Sequence, residues 1–269
     1  TGTTEFDVLA SAINGMSHSL AEAGRAQAAR MQKARTIQRH LLPTRMELDG
    51  FTIAHHFQPA DTIGGDYYDL FVSEDGSGLF CIADVTGHGV SAALVVAIVK
   101  TILLNAVEHG SDPGKTLAFV NRRLNAMDIP DSFVSLLLVR LCPGCLDLEY
   151  AGAGHLPALL LASDGSVRRL ESAGPLLGIG IDFDWTTEKV RIAGGDRMLL
   201  FTDSVTEASS PAHGLFRIAN LQEIALATRG LSPAEAIEGI MTRLAEHRDT
   251  QAFEDDVTLA LVELNDFVQ

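Results

Sequence analysis

From Phe6 to Leu42 apolar residues recur with the period of a helix. Leu9, Ile13, Met16 and Leu20 stand at alternating spacings of four and three, and Met31, Ala34, Gln38 and Leu41 resume after an interruption; this is the seam of a coiled coil. Gly24 and the alanines around it weaken the register, either as a stutter between two helical pieces or as a worn heptad. Pro43 ends the helix. Past it the period changes. Phe51 to Gln58, Tyr67 to Val72 and Leu79 to Asp84 are short runs of aromatic and β-branched residues and read as strands. Helical spacing returns over Val90 to Glu108 and Pro113 to Met127. Strands resume at Phe133 to Leu141, Leu146 to Ala151, Ala158 to Ala162, Val167 to Leu170, Thr187 to Ile192 and Met198 to Thr202, joined by turn signals such as Asp164-Gly165. Helices at Phe216 to Thr228 and Ser232 to Arg248 follow, with Ser232 as N-cap before Pro233, and Val257 to Glu263 closes as a strand. Strands grouped apart from helices predict an α+β layered sandwich of mostly antiparallel strands, with a linker helix over residues 1–43 and one domain over 44–265.

Charge and composition narrow the class. With 46% hydrophobic and 20% charged residues the chain has the balance of a soluble globular protein, and a net charge of −15 argues against nucleic acid as a partner. The basic run Arg25, Arg30, Lys33, Arg35 and Arg39 reads as a solvated helix face. The longest apolar stretch, Ala92 to Val99, stops at Lys100, short of a membrane span, and no secretory signal is visible. Three cysteines do not suggest a disulfide framework and fit a reducing compartment. Cys142-Pro143-Gly144-Cys145 falls between two strand-like runs and reads as a hairpin turn rather than a redox or zinc site.

The chemistry lies in aspartates. Three segments end or begin an apolar strand with carboxylate: Ile82-Ala83-Asp84, Phe201-Thr202-Asp203 and Asp255-Asp256-Val257; Gly64-Gly65-Asp66-Tyr67-Tyr68-Asp69 adds two more beside paired glycines. One such aspartate is an ordinary turn residue. Converging, they would repel by roughly 4 kcal/mol per pair at an effective dielectric near 20, so a cation is expected among them. Oxygen-only ligands suit Mg²⁺ or Mn²⁺, and two such ions suit phosphate-ester hydrolysis. Gly-Gly-Asp also opens a nucleotidyl-cyclase signature, but Tyr67 stands where that signature needs an acid.

Gly64-Gly65-Asp66-Tyr67-Tyr68-Asp69, Asp84-Val85-Thr86-Gly87-His88-Gly89 with Ala92-Ala93, Phe201-Thr202-Asp203-Ser204-Val205-Thr206-Glu207 and Asp255-Asp256-Val257-Thr258-Leu259 closely resemble the PPM-type protein phosphatases in their bacterial SpoIIE and RsbU-like branch. The resemblance runs from Ile37 to Val262. It implies an α-β-β-α sandwich with two Mn²⁺ or Mg²⁺ ions between the ends of two antiparallel sheets. Asp84 would bridge the metals with the Val85 carbonyl as a further ligand, Asp203 and Asp255 would bind the first metal, and Asp66 would act through bound water. Asp256 and Asp69 are weaker candidates, Asp69 as a residue orienting the following helices, and Gly87 and Gly89 would shape the turn. His88 does not occupy the spacing of the acid histidine in eukaryotic relatives, so His88 and His155 are expected to be structural. Two positions depart from the family pattern. Ser204 stands where glycine is usual and would crowd the site, and Gly152 stands where asparagine is common.

The resemblance implies a serine/threonine protein phosphatase acting on a phosphorylated STAS-type anti-sigma-factor antagonist. The alternative is a degenerate module of the same fold that docks a partner without catalysis. Glu5 to Met16 resembles the end of a HAMP linker. That implies a cytoplasmic domain of a membrane-anchored parent interrupted at Thr1, a homodimer through the N-terminal helix, and regulation passed down that helix.

Overall fold

Two five-stranded antiparallel sheets lie face to face, with helices covering the outer side of each. The computed structural model describes residues 2–108, 112–249 and 252–265, so Thr1 lies outside the described residues. One sheet is built from β1 (Phe51–Gln58), β12 (Val257–Leu264), β9 (Arg197–Phe201), β6 (Ala158–Leu161) and β7 (Val167–Leu170), in that order. The other runs β2 (Asp66–Val72), β3 (Gly78–Val85), β4 (Val134–Leu141), β5 (Asp147–Ala153) and β8 (Glu188–Arg191). Helices α2 (Val90–Val107) and α3 (Pro113–Met127) cover the second sheet; α5 (Arg217–Ala227) and α6 (Pro233–Arg248) cover the first. The sandwich expected from sequence is therefore present, with strand ends within a residue or two of the sequence reading.

Alternation along the strands builds the layers. On β3, Phe80 and Ile82 point into the inter-sheet core with Leu137, Leu200 and Ala260, while Leu79, Cys81 and Ala83 face α2 and α3. β4 is apolar on both faces, as a strand buried between two layers must be. Helix starts are fixed locally. The Asp112 side chain accepts from the Lys115 amide ahead of Pro113, and Ser232 and Glu235 form a reciprocal capping box.

α2 is long and apolar enough, by composition, to cross a membrane, which the sequence reading had denied by stopping at Lys100. In the fold its Val95, Val96, Val99 and Leu103 pack on the sheet, and Lys100 is engaged by Asp69. α1 (Gly2–Leu41) is one continuous helix through Gly24, with no break into two pieces. Phe6, Val8, Leu9, Ile13, Met16 and Leu20 lie exposed along it, and only its C-terminal end meets the domain, with Leu41 and Leu42 against the core under α2.

Three features were not anticipated from sequence. A short helix α4 (Asp203–Glu207) starts at a predicted site residue, and a two-stranded flap follows, β10 (Ser209–Ser210) with β11 (Gly214–Leu215). The Cys142 to Cys145 segment is the expected hairpin turn, with Gly144 at a φ of 76°, but its two sulfurs are joined in a disulfide. Phe80 is fully buried between the sheets. Phe80→Ala is expected to lower unfolding free energy by about 3–5 kcal/mol, read as a shift of the urea midpoint at unchanged slope.

Candidate active site

Register brings the first two carboxylates together. Asp66 opens β2 and Asp84 stands near the end of β3, and the two are direct cross-strand partners, so both project from the same end and face. On the opposing sheet β9 ends at Phe201 and α4 begins at Asp203, while the turn before β12 carries Asp255 and Asp256. β9 and β12 are neighbours, which sets Thr202 beside Thr258: the Thr202 amide donates to the Thr258 carbonyl. The hydroxyls of Thr202 and Thr258 both donate to Asp66 Oδ2, at 2.9 and 2.5 Å, fastening the ends of the two sheets to each other. Neither threonine was singled out from sequence, although Thr202-Asp203 and Asp256-Val257-Thr258 lay inside the motifs.

The adjacent pair Asp255-Asp256, in the turn before β12, points to opposite sides. Asp255 is exposed and lines a cavity of about 240 Å³ together with Asp203, Ser204 and Arg248. Asp256 is buried and turned inward, where it accepts from the backbone amides of Ala60, Gly65 and Asp66 at 2.8, 2.5 and 3.2 Å. It is a loop anchor. Gly64 is required by this approach, since a Cβ there would collide with the Asp256 carboxylate, and a Cβ on Gly65 would come within 2.7 Å of the Val85 carbonyl oxygen. The same loop is gripped from its other side by Gln38 of α1. Its Nε2 donates to the Gly64 carbonyl and its Oε1 accepts from the Gly64 amide, at 2.7 and 3.2 Å.

Asp69 is three residues from Asp66 and therefore lies on the opposite face of β2. It accepts from the Tyr67 hydroxyl and from Lys100 Nζ of α2, at 2.6 and 2.5 Å, and Lys100 also donates to the carbonyl of Leu41 at the end of α1. Asp69 thus stands outside the carboxylate group and ties three elements together. Val85 ends β3 with its amide bonded to the Gly65 carbonyl. Gly87 and Gly89 take φ values of 91° and 78°, as expected of residues shaping that turn.

Ser204 is buried beside the carboxylates, lining the same cavity as Asp203 and Asp255, and its hydroxyl donates to the Asp256 carbonyl. Gly152 packs closely on Ser172: a Cβ would lie 3.1 Å from the serine Cβ, so a larger residue here requires Ser172 to shift by a few tenths of an ångström. His155 is structural as expected. Its Nδ1 pairs with the Ser135 hydroxyl at 2.8 Å, and burial holds its pKa down to about 4. His88 departs from expectation, because its side chain is exposed and makes no hydrogen bond among the described residues.

Electrostatics follows from the geometry. Burial, reinforced by the charges of Asp203, Asp255 and Asp256, lifts the Asp84 pKa to about 7. Burial also pushes Asp66 well above the carboxylate range, with Asp84 and Asp256 adding to it and the two threonine hydroxyls opposing it. Among the described residues no Lys or Arg forms an ion pair with Asp66, Asp84, Asp203, Asp255 or Asp256. Nor, among the described residues, do three or more His, Cys, Asp or Glu side chains close into a ready-made metal cage. Uncompensated carboxylates whose charges reach a common Asp84, with oxygen as the only donor, fit a hard divalent cation.

Comparison with known proteins agrees with this geometry. Residues 74–265 match the family model described as Stage II sporulation protein E (SpoIIE). The chain belongs to the SpoIIE family. It is similar to Protein IcfG of Synechocystis sp., 29% identical over 87% of this chain and 41% of that protein. It is likewise similar to the phosphoserine phosphatase RsbU of Bacillus subtilis, 29% identical over 85% of this chain and 68% of RsbU. The chain thus spans less than half of IcfG and about two thirds of RsbU. Among solved structures, the SiaA-PP2C domain of Pseudomonas aeruginosa superposes with a TM-score of 0.80 at 24% identity, covering 90% of this chain and 99% of that one. The catalytic domain of the serine threonine protein phosphatase PstP, in complex with 2 manganese ions, superposes with a TM-score of 0.58 at 17% identity, covering 80% and 99%. This SpoIIE-family domain therefore has the PP2C phosphatase fold.

A raised aspartate pKa means that the fold tolerates the protonated form better than the charged one. That contribution to stability is complete below pH ~4 and is lost as pH rises to the folded-state value. Metal-free protein is expected to lose stability between pH ~4 and about 7. Asp84→Asn removes this loss. In EDTA at pH 8 the variant should be more stable than the parent by about 1–2 kcal/mol after allowance for solvent screening, and near pH 4 the advantage should vanish; urea unfolding at both pH values measures it.

Proposed function

We propose that this domain is a Mn²⁺- or Mg²⁺-dependent phosphoserine/phosphothreonine protein phosphatase of bacterial signalling. The observation that carries the reading is the electrostatic coupling of Asp84 to Asp203 and Asp255, from distant parts of the chain, at one end of a PP2C-type sandwich, with no ion pair to a basic side chain among the described residues. Asp84, Asp203, Asp255 and the Val85 carbonyl are the groups that would hold two ions, with Asp66 behind them. A bound pair of divalent ions supplies charge neutralisation, polarises phosphoryl oxygens and acidifies water.

The chain's own residues do the rest. Thr202 and Thr258 hold the Asp66 carboxylate in one orientation, so it accepts a proton or a hydrogen bond at a fixed point. Asp256 keeps the Gly64-Gly65 loop from relaxing as charge at the site changes. Hydrolysis forms a bond from water oxygen to phosphorus, breaks the bond to the serine or threonine oxygen, and returns a proton to that oxygen. The exposed rim at Asp255 and the flap after α4 leave room for a protein substrate. The resemblance to RsbU supports a STAS-type phosphoprotein, with the domain on the cytoplasmic side of a longer parent.

Regulation through α1 is part of the proposal. The exposed apolar stripe from Phe6 to Leu20 suits a coiled-coil dimer. Gln38 and the Lys100 contact to Leu41 give its C-terminal end two points of grip on the domain, one of them on the loop that carries Asp66.

Asp84→Asn and Asp203→Asn are each expected to reduce Mn²⁺-dependent release of phosphate from p-nitrophenyl phosphate by at least about 100-fold with the circular dichroism spectrum retained; undiminished turnover in both would refute the assignment. Gln38→Ala should raise the Mn²⁺ concentration for half-maximal activity by about tenfold, the equivalent of one lost buried hydrogen bond. Equal midpoints in the two proteins would remove the coupling.

A further inference from the structure

A cavity of about 490 Å³ opens between the last turns of α1, strand β1 and the loop that follows it. That volume lies within the ~300–1,000 Å³ range of small-molecule sites. Its chemistry is opposite to that of the protein as a whole. Arg35, Arg39, His55 and His56 line it, with Gln38, Gln58 and Thr62 as neutral polar groups, and no carboxylate is among its lining residues. In a chain of net charge −15 this is a local concentration of cationic and donor groups.

His55 Nδ1 and the Tyr68 hydroxyl are already paired at 3.0 Å, and Gln38 is bonded to Gly64; the two arginines are not engaged in this way. Arg35 and Arg39 stand one helical turn apart on the same face, and among the described residues neither makes a hydrogen bond or ion pair. Two like charges so placed repel unless an anion lies between them, and paired guanidinium forks match phosphate geometry. His56 borders the cavity but stands with Ala54 and Leu259 on the α6 side of β1, the opposite face from His55 and Phe57. The remaining wall is aromatic: Tyr68 lies 5.0 Å from the His55 ring and 6.2 Å from Phe57, centroid to centroid. Phe57 and Pro59 complete an apolar side opposite the arginines.

We propose that this cavity binds a nucleotide, with Arg35 and Arg39 on its phosphate and the aromatic wall against its base. An inorganic anion would use the arginines and leave the aromatic wall empty, so the combination favours a phosphate joined to a flat ring. Gln38 lines the cavity and also brackets Gly64, and Thr62 belongs to the loop that leads to Asp66. A ligand here would stiffen the junction of α1 with the site loop from outside the carboxylate group. The inference does not depend on phosphatase activity.

Isothermal titration of the whole chain in EDTA, which keeps metal–nucleotide complexes from forming at the aspartates, tests it with AMP, ADP, GMP and GDP against inorganic phosphate and adenosine. At least one nucleotide is expected to bind about tenfold or more tightly than either fragment. Arg35→Ala/Arg39→Ala, at helix positions where alanine is favourable, should weaken that binding by about tenfold or more, and Phe57→Ala should narrow the advantage over inorganic phosphate. The proposal is overturned if no nucleotide binds below about 1 mM, if none exceeds inorganic phosphate, or if the double variant binds as the parent does. The comparison of nucleotide with its fragments uses the unaltered chain and decides the matter even if a variant fails to fold.

Discussion

Like charge gathered at the end of two stacked sheets is the constraint on which this structure turns. Asp66, Asp84, Asp203, Asp255 and Asp256 form no ion pair with a basic side chain among the described residues, and burial makes the charged forms of Asp66 and Asp84 costly. Such an arrangement persists only where the surrounding structure holds it. Here the holding is done by hydrogen bonds that cross between the sheets. Thr202 and Thr258 of one sheet donate to Asp66 of the other, and Asp256 accepts from the amides of Gly65 and Asp66. The two-layer core of Phe80, Ile82, Leu137, Leu200 and Ala260 sets the separation at which those bonds can form.

Neighbouring carboxylates serve different ends because the backbone turns them to opposite sides. Asp255 faces the solvent-accessible cavity while Asp256 faces the loop. Asp66 looks across to the opposing sheet, and Asp69 looks back to α2 through Lys100. The helix-facing side of β2 thereby connects to the end of α1, and Gln38 connects α1 to the site-facing loop directly. The end of α1 is thus bonded to the domain at two points, the Gly64 backbone and the Lys100–Asp69 pair.

Much of this was legible before any coordinates. Strand and helix spacing located the main elements, because apolar periods of two and of three to four are dictated by burying one face. The strand-end aspartates pointed to a cation site by charge alone. What escaped has a common cause. α4 and the β10–β11 flap are too short to show a period, and Gln38 reads as a seam position of a coiled coil until the Gly64 backbone is set against it. His88 was misjudged for the same reason, since exposure depends on neighbours remote in the chain.

The sequence by itself determined the α+β layering, the register-ready strands and the set of strand-end carboxylates, since these follow from local period and residue type. Only the tertiary structure decided which carboxylates share a space, which one is consumed in anchoring a loop, and that a cationic cavity lies behind that loop. Those outcomes depend on contacts between residues as far apart as Asp66 and Thr258, 192 positions along the chain, which no local pattern encodes.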